Sequence, residues 1–252
     1  MTTELTHDRF LGGRLRLWQP KTGYRAGVDA VFLAAAVPAK PGDSVLELGC
    51  GVGTVSLCLA ARVSELHITG VELQAAYAAL ARKNADEAAM DVSVHTADLT
   101  ALPDAIRNTS FDHVIANPPY FDRTRTQPAE DAGRETAFGE VTPLSDWVET
   151  AARRLAPKGR LTTIIRVERL AELLQAMDTR LGSIEVLPLA PRTGRRAKLI
   201  LLRAIKGGRA DFALHAPVVL HEGDSHMADG EDYASPIADV LRNGAAFPWP
   251  QP

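Results

Sequence analysis

Apolar residues in this chain recur at two spacings, and the middle of the chain alternates between them. Ser44–Gly49 (SVLELG) reads as a short buried strand, and Thr54–Val63 has helical composition. HITGVEL (67–73) returns as a strand, followed by the Ala-rich helix Gln74–Ala89; DVSVHTADL (91–99) is a third strand and Phe111–Ala116 a fourth. A helix over Leu144–Leu155 passes through APKGR (156–160) into a fifth strand, LTTIIRV. Repeated strand–helix alternation predicts a parallel sheet covered on both faces. After Leu170 a further helix precedes SIEVLPL, AKLILLRAI and ADFALHAPVVL, three strand-like runs with little helix between them. They predict antiparallel completion at one sheet edge.

Ahead of the sheet, GGRLRLWQPKTGYRAG (12–27) alternates and turns like a β-hairpin, and VDAVFLAAAV is a compact apolar helix. The expected organisation is one domain: hairpin and helix over about 8–40, a core over about 41–221, and a C-terminal extension over about 222–252. The closing FPWPQP is expected to trail or to dock as an extended tail.

Composition adds bounds. The 252 residues are 46% hydrophobic and 23% charged, ordinary for a globular protein. No run approaches the ~18 apolar residues of a membrane span, and Met1–Phe10 is too polar for a signal-peptide core. Cys50 and Cys58 are too few for a disulfide framework and lack metal spacing. A cytoplasmic enzyme is the expectation.

Net charge is −3, which argues against a bulk nucleic-acid binder, but the distribution is uneven. Between Ala190 and Ala210 stand Arg192, Arg195, Arg196, Lys198, Arg203, Lys206 and Arg209 without an acid. From Asp211 onward seven acids face one Arg242. A basic stretch beside an acidic tail can steer a polyanion to one face. It can equally be a solvated strand edge kept from aggregating by its charges.

The chemistry sits at strand ends. After Phe111–Ala116 come Asn117, Pro118, Pro119 and Tyr120. Two prolines cannot extend a strand, since each lacks an N–H and fixes its φ. The result is a rigid turn presenting Asn117 and Tyr120, suited to a planar amide or amine. LELGCGVGT places Gly49, Gly51 and Gly53 between the first strand and first helix, where a parallel sheet binds ligands. The spacing is Gly-x-Gly-x-Gly, preceded by acidic Glu47, which favours a ligand bearing an ammonium group over a pyrophosphate. S-adenosylmethionine (AdoMet) is such a ligand. Glu72, 19 residues after Gly53, ends the second strand, where a carboxylate can accept from both ribose hydroxyls. Asp98 follows the third strand, positioned for an adenine edge, and Leu73 and Leu99 stand beside these carboxylates.

With these motifs the chain resembles the class I AdoMet-dependent methyltransferases that carry Asn-Pro-Pro-Tyr, a Rossmann-like fold with a mainly parallel seven-stranded sheet. QPKTGYRAGVDAVFLAA, NPPYFDRTRT, PLSDWV, APKGRL and PVVLHEG extend the resemblance to the tRNA-Val adenine-37 amino-methyltransferases, from about Phe10 to Gly244. The resemblance implies a tRNA partner and a segment closing over AdoMet from the N-terminal side, with Tyr24, Arg25 and Asp29 as candidate contacts. Asp29 also reads as an ordinary helix N-terminal acid. Arg123, Arg125 and Arg134 follow Tyr120 and, with Arg192, Arg195, Arg196 and Lys198, are candidate RNA contacts.

In this reading the Asn117 Oδ1 and the Pro118 carbonyl accept hydrogen bonds from an adenine amine, and Tyr120 stacks on the flipped base. Cys50 is explained by its small size and Cys58 by the core. His221, Asp224, His226 and Asp229 resemble a metal cluster, but their Gly-rich acidic context reads as a surface loop, and no metal is expected. Methylation of a protein glutamine amide presents the same pair of N–H groups to Asn-Pro-Pro-Tyr and stays open. So do a guanine 2-amino group, a DNA adenine and a non-catalytic RNA-binding module.

Overall fold

The structure is a computed structural model and describes residues 4–119, 121–122, 139–140, 142–223 and 232–250. The chain opens with a hairpin, β1 (Leu5–Phe10) paired antiparallel with β2 (Leu15–Pro20), then α1 (Val28–Ala36). The core continues as β3 (Ser44–Leu48), α2 (Thr54–Arg62), β4 (His67–Glu72), α3 (Ala75–Glu87), β5 (Val92–Thr96), α4 (Asp104–Arg107) and β6 (Phe111–Ala116). Two-residue strands β7 (Phe121–Asp122) and β8 (Gly139–Glu140) pair with each other. Then come α5 (Leu144–Arg154), β9 (Leu155–Arg166), α6 (Leu170–Ala176), β10 (Leu181–Ala190) and β11 (Leu199–Lys206). Two short strands, β12 (Ala213–Leu214) and β13 (Val218–Val219), and α7 (Ser235–Asn243) complete the order.

The main sheet runs β12-β10-β11-β9-β6-β3-β4-β5, with β13 also on β10. β3, β4, β5, β6 and β9 are parallel neighbours, and β11 is inserted antiparallel between β9 and β10. Seven longer strands carry this sheet among the described residues, as expected. The run read as one strand over 210–220 forms instead the two short strands β12 and β13, parallel to β10.

Both sheet faces are buried, because adjacent residues on one strand point to opposite sides. Val45, Ile115, Ile164 and Leu201 enter one core with α1 and α2; Leu46, Val114, Ile165 and Leu202 enter the other with α5. APKGR is not a connector, since β9 already begins at Leu155 and bulges there, with Phe111 opposite Leu155 but His113 opposite Arg160.

The hairpin starts earlier than the alternation suggested, and residues 21–27 lead to α1 instead. The reason is chemical. The inner face of β1 is partly polar: Asp8 Oδ2 accepts from Gln19 Nε2 at 2.8 Å and pairs with Arg25 Nη2 at 2.6 Å. A satisfied carboxylate on the packed face hides the apolar period.

The tail docks. Phe247 is buried edge-on against Phe32 of α1, centroids 5.6 Å apart, and its N–H donates to the Ala35 carbonyl. Trp249 Nε1 donates to Glu185 of β10 at 2.7 Å, and the Arg203 guanidinium lies 3.6 Å over the indole. Residues 247–249 thus strap α1 to the β10–β11 side of the sheet. Phe247→Ala should cost about 3–5 kcal/mol of unfolding free energy, the range for deleting a buried phenyl ring, read from urea denaturation followed by circular dichroism.

Candidate active site

β3 and β6 pair in parallel with Leu48 opposite Ala116, so the glycine loop and the Asn-Pro-Pro turn leave the sheet side by side. Between them and α1 lies a small open cleft. Tyr24, Ala30, Glu47, Cys50, Thr54 and Asn117 are among its lining residues. Gly49, Gly51 and Gly53 all have positive φ. At Gly49 there is a second constraint: a Cβ there would stand 2.6 Å from the Trp147 ring, which packs on the loop backbone.

Two carboxylates stand at this loop, Glu72 bonded to its backbone and Glu47 to the first turn of α2. Glu72 Oε2 accepts the Gly51 N–H at 2.9 Å and Oε1 the Gln74 N–H at 2.8 Å. Burial pushes its pKa up, and these N–H groups pull it back down. Glu47 is fully enclosed and takes the Ser56 N–H at 3.0 Å and the Ser56 hydroxyl, both on Oε2. Burial pushes its pKa up to about 8. Tyr24 keeps its phenolic proton for the same reason, with Asp29 and Glu47 adding to the effect.

Asn117 is oriented. Its Nδ2 donates to Asp29 Oδ2 at 2.9 Å, while its buried Oδ1 has no partner among the described residues. An acid on Nδ2 leaves the acceptor atom as the free end of the amide. Thr54 Oγ1, also on the cleft, is buried without a partner as well.

The remaining expected site residues divide. Beyond the cleft, Leu73 is 51% exposed beside Glu72. Asp98 Oδ1 accepts from Thr100 N–H and Oγ1, both at 2.8 Å, and Leu99 is buried in the core under α5. Pro118 and Pro119 close the turn after β6, and the Pro119 carbonyl accepts from Arg169 Nη1 at 2.6 Å. Arg25 does not line the cleft; Asp8, Thr6 Oγ1 and the Pro20 carbonyl bind it to the hairpin. Arg192 is not a loose cation either: it pairs with Asp232 and donates to the Glu222 and Gly223 carbonyls. Arg195, Arg196 and Lys198 are exposed in the β10–β11 turn. Tyr120, Arg123, Arg125 and Arg134 lie outside the described residues, as do Asp224, His226 and Asp229.

Sequence reasoning missed Thr54, Trp147, Arg169 and the Asp29–Asn117 bond. Thr54 directly follows Gly53, a visible signal; the others depend on contacts between distant segments. Among the described residues no group of three His, Cys, Asp or Glu is placed to hold a metal, and no helix is long and apolar enough to cross a membrane.

A family model described as the methyltransferase small domain matches residues 26–190. The chain belongs to this family. The methyltransferase is 30% identical over 196 residues to a Porphyromonas gingivalis protein named tRNA1(Val) (adenine(37)-N6)-methyltransferase, covering 72% of this chain and 76% of that one. A Haemophilus influenzae protein of the same name is 26% identical, with 88% and 94% covered. Among solved structures, a predicted O-methyltransferase from Agrobacterium tumefaciens superposes with TM-score 0.70 at 29% identity, covering 87% of this chain and 98% of that one. The Thermus thermophilus 16S rRNA N2 G1207 methyltransferase, solved with AdoMet and guanosine, shares the fold at TM-score 0.56 and 20% identity, covering 81% and 50%. The enzyme is an AdoMet-dependent methyltransferase with the class I Rossmann-like fold.

Glu47 supplies a pH test. Its folded pKa of about 8 lies above the ordinary glutamate value of 4.5, so ligand-free stability falls as pH rises through that window. A cationic ligand favours the ionised carboxylate. AdoMet should therefore bind more tightly at pH 8 than at pH 6 and release a proton on binding, with Glu47→Gln showing a flatter pH dependence. Calorimetry in buffers of different ionisation enthalpy reads both quantities.

Proposed function

We propose that this enzyme transfers the AdoMet methyl group to the exocyclic amine of adenine 37 in a tRNA. The observation that carries the reading is Asn117: a half-buried amide bonded through Nδ2 to Asp29, its buried oxygen free, at the end of β6 beside the cofactor loop. The names of the relatives support the adenine and the tRNA.

The residues fit AdoMet. Two buried carboxylates at the loop oppose a pyrophosphate and suit a cation, and AdoMet carries an ammonium and a sulfonium but no phosphate. Glu72 retains lone pairs that would take the ribose hydroxyls, the exposed Leu73 would offer an apolar platform to the adenine ring, and Asp98 would meet its polar edge. Tyr24 and Glu47, on the cleft lining, would hold the methionine end. When bound, AdoMet supplies an electrophilic methyl group. The protein's task is to make an amine attack it.

An adenine amine is a weak nucleophile because its lone pair is delocalised into the ring. Asn117 Oδ1 and the Pro118 carbonyl, accepting one N–H each, draw the nitrogen toward tetrahedral geometry and localise that lone pair. Preorganised acceptors need no rearrangement as the nitrogen gains positive charge. Tyr120 stacks on the base that leaves its own helix or loop. The proton then leaves to solvent.

RNA is gripped at the carboxyl edge of the sheet. Leu199 of β11 stands opposite Arg166 near the end of β9, which brings the β10–β11 turn to the same edge as Asn117. Arg195, Arg196 and Lys198 are its exposed cations and, with Arg123, Arg125 and Arg134, reach for phosphates. Arg195→Ala with Arg196→Ala should flatten the salt dependence of tRNA affinity and leave AdoMet affinity unchanged. Filter binding across a salt series checks the first and calorimetry the second.

Radiolabelled AdoMet offered to total tRNA and to a release factor, followed by nucleoside analysis, tests the function. N6-methyladenosine is the expected product; label in protein glutamine, or in a ribose hydroxyl, refutes the reading. Asn117→Ala should lower single-turnover rate by about 100–1000-fold, the scale for losing one preorganised polar group, with AdoMet affinity nearly unchanged.

A further inference from the structure

Proline fixes its own φ, and a residue before proline is held to extended ψ, so the ψ of Asn117 and of Pro118 are both restricted. Pro119 precedes Tyr120, and its ψ is not restricted in this way. A carbonyl turns with ψ, so the peptide plane at the Pro119 carbonyl is the one that the prolines leave unset.

Arg169 is placed to set it. It ends the short 3-10 turn Val167–Arg169 that links β9 to α6, and it is 6% exposed. Glu172 grips one edge of the guanidinium, from Nε at 3.1 Å and from Nη2 at 2.8 Å. That fixes the plane of the side chain, and Nη1 then donates to the Pro119 carbonyl at 2.6 Å. A guanidinium presents its donors in a rigid fork, so one residue can meet a carboxylate and a carbonyl in fixed geometry; a lysine ammonium has no such fork.

The brace has a counterpart. Asp29 of α1 holds the side chain at the first residue of the turn, and Arg169 holds the carbonyl at the third. The Pro118 carbonyl lies between the two fixed points.

We propose that Arg169 is a positioning residue for methyl transfer: by gripping the Pro119 carbonyl it fixes the last peptide plane of the turn, and with it where the rigid segment carrying Asn117 and the Pro118 carbonyl sits. The inference rests on the turn as the amine-binding element. Arg169 touches neither reacting atom, so its loss acts on the chemical step through the turn.

Arg169→Ala should lower kcat on tRNA by about 100-fold, the effect of a misplacement near 1 Å, while KM and AdoMet affinity stay near wild type. Millimolar guanidinium chloride should restore a substantial part of the rate by filling the vacated site. Arg169→Lys should remain slow, and Arg169→Met, which keeps volume without donors, should be slow and resist rescue. A wild-type kcat in Arg169→Ala overturns the proposal, as does a folded, inactive variant that guanidinium does not restore. An independent readout uses protein whose prolines carry carbon-13 at the carbonyl, the Pro119 signal being assigned with Pro119→Ala. That signal should shift in Arg169→Ala and return with guanidinium; an unmoved signal overturns the proposal. Wild-type protein that methylates no RNA would fail the substrate reading, and the carbonyl signal would still decide the Arg169 contact.

Discussion

The register of β3 against β6 is the constraint on which the site depends. With Leu48 opposite Ala116, the two central strands end level, and the segments leaving them are forced into contact range. One continues as a glycine loop and the other as a turn that cannot rejoin the sheet. A slip of one residue would reverse the faces of Val114 and Ile115, which now enter different cores. The packing of two cores thus fixes the position of the chemistry between them.

Around that junction the protein places hydrogen-bonding groups in pairs. Glu72 ties the glycine loop to the end of β4, Asp29 ties Asn117 to α1, and Arg169 ties the turn to the start of α6. Each bond joins segments far apart in the chain, and each leaves the partner with one free function. The glycine loop keeps its remaining backbone, Asn117 keeps its oxygen, and the turn keeps the Pro118 carbonyl. Such braces convert loops, ordinarily the mobile part of a fold, into fixed features.

What the sequence made legible were features whose cause is local. The apolar runs of β3, β4, β6 and β9, the glycines, and the acids at strand ends each arise from residues within a few positions of one another. The hairpin start was hidden because Asp8 looks like a surface residue until Gln19 and Arg25 are seen to satisfy it. Arg192 looked like a cation available to RNA, yet Asp232, 40 residues later, claims it. Arg169 gave no signal at all, because its meaning lies in a carbonyl 50 residues upstream. Composition shows that a charge exists; only the fold shows whether it is already spent on a partner.

The strap over α1 has a consequence for how the enzyme comes into being. Phe247 lies 211 residues beyond the end of α1, and the ring it covers, Phe32, is fully buried in the finished protein. At ribosomal speeds of about 5–20 residues per second, roughly 10–40 seconds separate the synthesis of the helix from that of its cover. During that interval one apolar flank of α1, the helix that carries Asp29, is without its cover.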